Sequence, residues 1–159
     1  MPSKIIISSC LTGVKCAYDG KARVCKCVAG ITDYIPLYPE MLGGLSVPRE
    51  RHEIVGGIGS DVLDGKARVM SCSGKDNTES FLTGARRTLD EALRHNVKVA
   101  ILKEHSPSCG VDRIHAGRFN GTLCEGQGVT TALLRRHGVK VYSENEYSLM
   151  IDDCSRGGF

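Results

Sequence analysis

Two cysteines about a hundred positions apart carry the clearest chemistry in this chain. Cys10 lies in Ile5-Ile6-Ile7-Ser8-Ser9-Cys10-Leu11-Thr12-Gly13, and Cys109 in Ile101-Leu102-Lys103-Glu104-His105-Ser106-Pro107-Ser108-Cys109-Gly110. Each follows a short apolar run and falls in a loop rich in Ser, Gly or Pro, so each is expected just past the end of a buried strand. In an open α/β sheet, ligands bind outside the carboxyl ends of the strands. Two thiols delivered to that edge point to a metal or cofactor site rather than to a pair of core residues. Glu40, after Pro39 and before Met41-Leu42-Gly43-Gly44-Leu45, reads either as a partly buried acid or base or as a surface carboxylate. Ser106 and Ser108 can donate hydrogen bonds to a developing anion, or hold their loop together. Gly126-Gln127-Gly128-Val129-Thr130 leads into a helix whose N-terminus can hold an anion, although helix entry is the commoner use of such glycines.

Other cysteine chemistries fit poorly. The chain has eight cysteines, but the only close pair is Cys25-Lys26-Cys27, not the spacing of a zinc knuckle. A thioredoxin-like pair separated by two residues is absent. A phosphatase loop fails at its arginine, because Cys16 stands six residues after Cys10. Cys72, Cys124 and Cys154 read as bystanders. The five histidines form no i, i+4 pair, so none is assigned as a ligand.

The elements that must position these groups follow from the apolar pattern. Residues 4–8, 34–38, 97–102 and 139–142 are dense in Ile, Val, Leu or Tyr and read as buried parallel strands. A helix is predicted over about 77–95, where Phe81, Leu82, Ala85, Leu89, Ala92 and Leu93 share one face, with Asp76 as its N-cap. A second is predicted over 129–137, stopping at Gly138, and a shorter one over 22–31. Strands alternating with helices imply right-handed crossovers and a Rossmann-like parallel sheet. Between residues 43 and 75 the pattern breaks. Residues 62–69 read as a hairpin around Asp64-Gly65, and Gly56-Gly57-Ile58-Gly59 as a mobile loop. The tail after Glu146 is expected to be poorly ordered.

The bulk numbers bound the function. A length of 159 residues fits one domain. Aromatics make up only 5% and there is no Trp, so stacking on bases is not a theme; the net charge of +3 comes from scattered basic residues, and nucleic-acid binding is not expected. The first apolar run is too short for a signal peptide or a membrane span. A cytoplasmic protein is therefore expected, in which disulfides are rare and eight thiols favour metal binding, catalysis or burial.

Taken in order, several stretches resemble the DUF523 family, which includes iron–sulfur thiouracil desulfidases. They are Ser9-Cys10-Leu11-Thr12-Gly13, Tyr18-Asp19-Gly20, Pro39-Glu40-Met41-Leu42-Gly43-Gly44-Leu45, Pro48-Arg49, residues 102–110, Gly121-Thr122 and residues 126–134. The resemblance implies a compact Rossmann-like α/β domain. In desulfidase-type members, three cysteines hold a [4Fe-4S] cluster and leave one iron open. Two of those positions fall on Cys10 and Cys109; the third, in the family's Cys-Pro-Glu motif, falls on Tyr38. A phenolate substitutes poorly for thiolate on such a cluster. Cys16 is the favoured source of a third thiolate. Alternatively Cys25 or Cys27 supplies it, or the cluster is absent and the fold is a non-enzymatic protein holding zinc, another small ligand or no metal.

The expected activity is redox-neutral removal of sulfur from a small thiocarbonyl compound, such as a thiolated pyrimidine, with release of hydrosulfide. Glu40 would act as general base or proton shuttle, and Ser106 or Ser108 would steady the substrate. Gly43, Gly44, Arg49, Gly128 and Thr130 are expected on the substrate side.

Overall fold

The computed structural model describes residues 4–14, 18–24, 28 and 30–147. Four strands form a parallel sheet in the order β2-β1-β5-β8: β1 (Ile5–Ser8), β2 (Tyr34–Leu37), β5 (Val99–Leu102) and β8 (Lys140–Ser143). These are the four apolar runs, trimmed at their ends. Ile6, Ile7, Ala100 and Ile101 are fully buried on the two central strands, as a sheet covered on both faces demands. Register levels the exits: Ser8 pairs with Leu37, and Ile7 with Ile101. The chain therefore leaves β1, β2 and β5 at one edge.

Helices α3 (Thr78–Arg94) and α4 (Val129–Arg136) cover the sheet with Leu89, Ala92 and Leu134, which pack on Ile6, Leu102 and Val141. The position flanking α3 is Asn77 rather than Asp76. Asp76 still serves the helix entry, because its carboxylate accepts from the Thr78 N–H (2.9 Å) and hydroxyl (2.6 Å). Gly138, at φ 82°, ends α4 as expected.

The middle of the chain differs from its prediction. Asp64-Gly65 does not turn a hairpin; it ends a short helix, α2 (Gly59–Leu63), with Gly65 at φ 78°. The antiparallel pair is instead β3 (His52–Val55) with β4 (Arg68–Ser71), and α2 lies in the connection between them. An Asp-Gly step serves a helix end as well as a two-residue turn, and five helical residues leave no period to read. The 56–59 segment is pinned: Gly59 donates to the Gln127 carbonyl at 2.7 Å, and Ile58 to Asp61 Oδ2 at 2.8 Å. A second antiparallel pair, β6 (Arg113–His115) with β7 (Leu123–Glu125), had no clear sequence signal. Residues 22–24 are irregular, and residues 25–27 and 29 of the predicted 22–31 helix lie outside the described residues, as does the tail beyond residue 147. No helix among the described residues is long and apolar enough to cross a membrane.

Candidate active site

The β1 exit winds into a 3-10 turn, Ser9–Thr12, closed by the Thr12 hydroxyl donating to the Ser9 carbonyl at 2.8 Å. That turn buries Cys10 to 3% exposure. The β2 exit carries Tyr38 into α1 (Pro39–Leu42), where Pro39 starts the helix with the fixed φ it favours and Glu40 is buried in the first turn. The β5 exit carries the 103–110 loop, in which the Ser106 hydroxyl oxygen accepts from the N–H groups of Ser108 (3.0 Å) and Cys109 (3.1 Å). Cys109 is left 2% exposed. A pocket of about 230 Å³ opens among these exits, lined by Ser8, Cys10, Tyr38, Glu40, Arg49 and Cys109 among others.

Glu40 is the electrostatic centre. Its Oε2 accepts from Arg49 at 3.0 Å, and its Oε1 stands 4.0 Å from the Cys109 sulfur. Burial pushes its carboxyl pKa above the usual value, opposed by the Arg49 charge and by hydrogen bonds from Tyr38 and Ser108. Ser108 is itself anchored by Thr130, hydroxyl to hydroxyl at 2.7 Å. The result is a polar chain from α4 to the carboxylate. The Cys109 thiol is raised well above its usual range by burial, then by the Glu40 and Cys10 charges. Tyr38 is raised by burial and by Glu40, so its phenol keeps its proton at neutral pH; Arg49 donates to its oxygen.

Cys10, Cys109, Glu40, Arg49 and Ser106 thus meet at one pocket, with Ser108 directly behind Glu40 and Cys109. The remaining residues expected on the substrate side sit elsewhere. A Cβ on Gly43 would meet the Ser80 carbonyl oxygen at 1.9 Å, so Gly43 lets α1 touch α3. Gly44 takes φ 90° in an exposed turn. Gly128 abuts the Ser108 carbonyl, and Thr130 is fully buried. The N-terminus of α4 is occupied by protein: Gly128 donates to Gly110, Val129 to Pro107, and Thr130 to Ser108. Cys16 lies outside the described residues, as do Cys25, Cys27 and Cys154. Cys72 is exposed on β4's exit, and Cys124 packs beside the second apolar cluster.

Sequence reasoning missed much of the pocket's wall, including Arg23, Arg51, Lys103, His105 and His115. Arg51 immediately precedes β3 and His115 ends β6, so both are placed by the two antiparallel pairs. Only the register of those short strands could have placed them there.

A parallel sheet that gathers two buried thiols, a buried carboxylate and its arginine at one pocket defines a thiol–carboxylate α/β protein. The chain belongs to the 2-thiouracil desulfurase family, whose model matches residues 5–146. The family expected from the motifs is thereby borne out. The chain is 46% identical over 145 residues to the uncharacterized protein YbbK of Bacillus subtilis (strain 168), covering 89% of this chain and 96% of that protein. Among solved structures, it is similar to the [4Fe-4S]-dependent thiouracil desulfidase TudS, with TM-score 0.80 and 38% identity over 95% of this chain and 99% of that one.

The donor set can be tested against a cluster of that kind. Cys10 and Cys109 fit two thiolate positions. The third position, where the motif resemblance puts it, falls on Tyr38, whose proton is kept by burial and whose oxygen is engaged by Arg49, so it does not fit. Among the described residues, no group of three or more Cys, His, Asp or Glu side chains is placed to hold a metal ion.

Proposed function

We propose that this protein is a desulfidase that converts a small thiocarbonyl compound, such as a thiolated pyrimidine, to its oxygenated counterpart and hydrosulfide. The observation that carries the reading is the convergence of Cys10, Cys109 and Glu40 on one pocket at the carboxyl edge of the sheet. Family membership and the likeness to a thiouracil desulfidase support it. A [4Fe-4S] cluster, were it held by Cys10, Cys109 and a third thiolate from Cys16, would supply an open iron with affinity for sulfur and Lewis acidity.

The chain's own groups do the rest. Glu40 is the proton shuttle beside the reacting sulfur, since burial raises its pKa above the usual carboxyl value and makes it a better proton acceptor than an exposed glutamate. Arg49 fixes its Oε2, leaving Oε1 on the cysteine side. Ser108 holds the carboxylate through the Thr130 chain, and Ser106 shapes the loop that presents Cys109 while lining the pocket. The reaction consumes water and needs no net redox change, which suits a thiol-rich protein of the reducing cytoplasm, the proposed compartment.

Tyr38 favours a second reading, a non-enzymatic protein that holds zinc, another small ligand or no metal through Cys10, Cys109 and Cys16. Anaerobic reconstitution separates the two. The desulfidase reading expects a brown protein with about four irons per chain, sulfide release from 2- or 4-thiouracil, and loss of iron in Cys16→Ser. A colourless protein that takes up zinc but no iron, and releases no sulfide, establishes the binding-protein reading instead.

A further inference from the structure

The loop that carries Cys109 is closed by a carboxylate of its own. Glu104, 7% exposed just past β5, offers one oxygen to four backbone donors: Oε1 accepts from the N–H groups of Val111 (2.6 Å), Asp112 (3.0 Å), Arg113 (3.2 Å) and His105 (3.3 Å). Its Oε2 accepts a further, longer bond from Asp112 at 3.3 Å. Successive N–H groups converging in this way make a concavity that suits an anion, and here the chain fills it with its own side chain. The root of the loop is pinned as well. The Lys103 N–H donates to the Ser8 hydroxyl oxygen at 3.1 Å, and the Glu104 N–H to Glu144 Oε2 at 3.0 Å, so the ends of β1 and β8 fix the point from which Glu104 reaches.

We propose that Glu104 is a positioning residue for Cys109: its carboxylate, by collaring residues 105–113, sets where the Cys109 sulfur stands in the pocket. Cys109 lies within this closed loop, and its immediate turn is held by Ser106, whose hydroxyl takes the Ser108 and Cys109 N–H groups and whose carbonyl takes that of Gly110 at 2.9 Å. The backbone N–H groups of 103–105 and 108–113 therefore all end on an acceptor, most of them on Ser106 or Glu104. The collar also holds His105 at φ 75°, a left-handed conformation that a residue with a side chain adopts at a cost, and that persists only where neighbours impose it. Glu104 itself lines the pocket, yet its oxygens are spent on backbone donors, so it places a sulfur rather than moving a proton. What it places is Cys109 Sγ, 4.0 Å from Glu40 Oε1. The effect of that placement on turnover rests on the desulfidase reading; the placement itself does not.

Cys10 supplies the internal reference. It is 3% exposed in the separate turn after β1, and none of the bonds to the Glu104 carboxylate comes from that turn. An opening confined to 105–113 exposes the Cys109 thiol ahead of the Cys10 thiol, whereas a general loosening of the protein exposes both. Cys72, already exposed, calibrates the reagent.

The test reads both thiols directly. Iodoacetamide alkylation of each cysteine is followed by peptide mass spectrometry in the reduced, metal-free full chain at one pH, for wild type, Glu104→Gln and Glu104→Ala. The Gln carbonyl can still accept from residues 105 and 111–113, but a neutral acceptor holds an N–H about half as strongly as a charged one, so the Cys109-to-Cys10 rate ratio should rise about threefold. Glu104→Ala removes the acceptor and leaves those N–H groups unpaired, so the ratio should rise about tenfold or more. Both variants remove the same charge, and the excess in Glu104→Ala therefore reads the geometry of the collar. A ratio unchanged from wild type overturns the proposal, and so does a rise shared equally by Cys10 and Cys109; if Glu104→Ala does not fold, Glu104→Gln decides by the same two criteria. After anaerobic reconstitution, Glu104→Gln should lose about tenfold in kcat for sulfide release from 4-thiouracil with KM little changed, as a misplaced reacting group demands. An unchanged kcat in a variant whose Cys109 has become reactive overturns the link from placement to turnover. A wild type that holds iron yet releases no sulfide sinks the desulfidase reading instead, while the alkylation ratio still decides the placement.

Discussion

Glu40 and Arg49 stand 3.0 Å apart with side chains 5% and 9% exposed, so neither charge can fall back on water when the other is removed. Breaking a buried pair from one side costs about 3 kcal/mol or more, because the surviving charge is left uncompensated. Glu40→Gln is therefore expected to lower the urea midpoint as well as slow sulfide release by about 100-fold or more; unchanged turnover would remove Glu40 from the mechanism. Tyr38 offers a sharper test at the same scale. By the motif resemblance its phenol stands where a thiolate is expected, and burial keeps the phenol protonated at neutral pH. If Cys16 compensates, Cys16→Ser should lose iron on reconstitution, and adding Tyr38→Cys to it should restore iron, read by metal analysis alone. Failure of that rescue removes Tyr38 as the vacated ligand position. The thiols and Glu40 were legible in the sequence, because each follows an apolar run at a strand end. Gly43, Gly128 and Thr130 were not: a glycine that admits a helix and one that admits a substrate look alike in sequence, and only packing separates them.

Among the elements, α3 is fastened at both ends of its contact with α1. A Cβ on Gly84 would meet the Pro39 carbonyl oxygen at 2.0 Å, the mirror of the Gly43–Ser80 approach. Gly84→Ala gains about 1 kcal/mol of helix propensity but forces two backbones apart, so a net loss of about 1–3 kcal/mol is expected. Because α1 carries Glu40, activity should fall along with the thermal midpoint. At the entry to α3, the Arg68 guanidinium, followed by the Thr78 hydroxyl and N–H, holds the Asp76 carboxyl down to about 2. The unfolded value is about 3.9. The folded pKa is thus depressed, and its stabilisation is full above about pH 4 and disappears as pH falls towards 2. Asp76→Asn should be less stable than wild type at pH 7, with the gap closing over that acid window in urea titrations. Long elements such as α3 declared themselves by period, whereas α1, α2, β6 and β7 have three to five residues each and could not.

Across the whole molecule, three apolar clusters flank the sheet, and α3 and α4 contribute residues to both the first and the second. The β3–α2–β4 segment shares those helices with the sheet, so fluorescence of the tyrosines and far-UV circular dichroism should report one coincident unfolding transition; separated transitions would divide the chain into independent units. Strand order was implied by the alternation of strands and helices, but the two antiparallel pairs that wall the pocket were not, since their pairing is long-range. The bonds that seat the Cys109 loop on α4 couple distant stretches of the gene. Gly128, Val129 and Thr130 donate to the carbonyls of 107–110, and the Thr131 hydroxyl donates to that of Cys109 at 3.0 Å. In chimaeras assembled from diverged relatives, a crossover between residues 111 and 127 would marry one parent's loop to another's helix. Recombinants joined outside 106–131 inherit both halves of the clasp together, and should be recovered folded far more often.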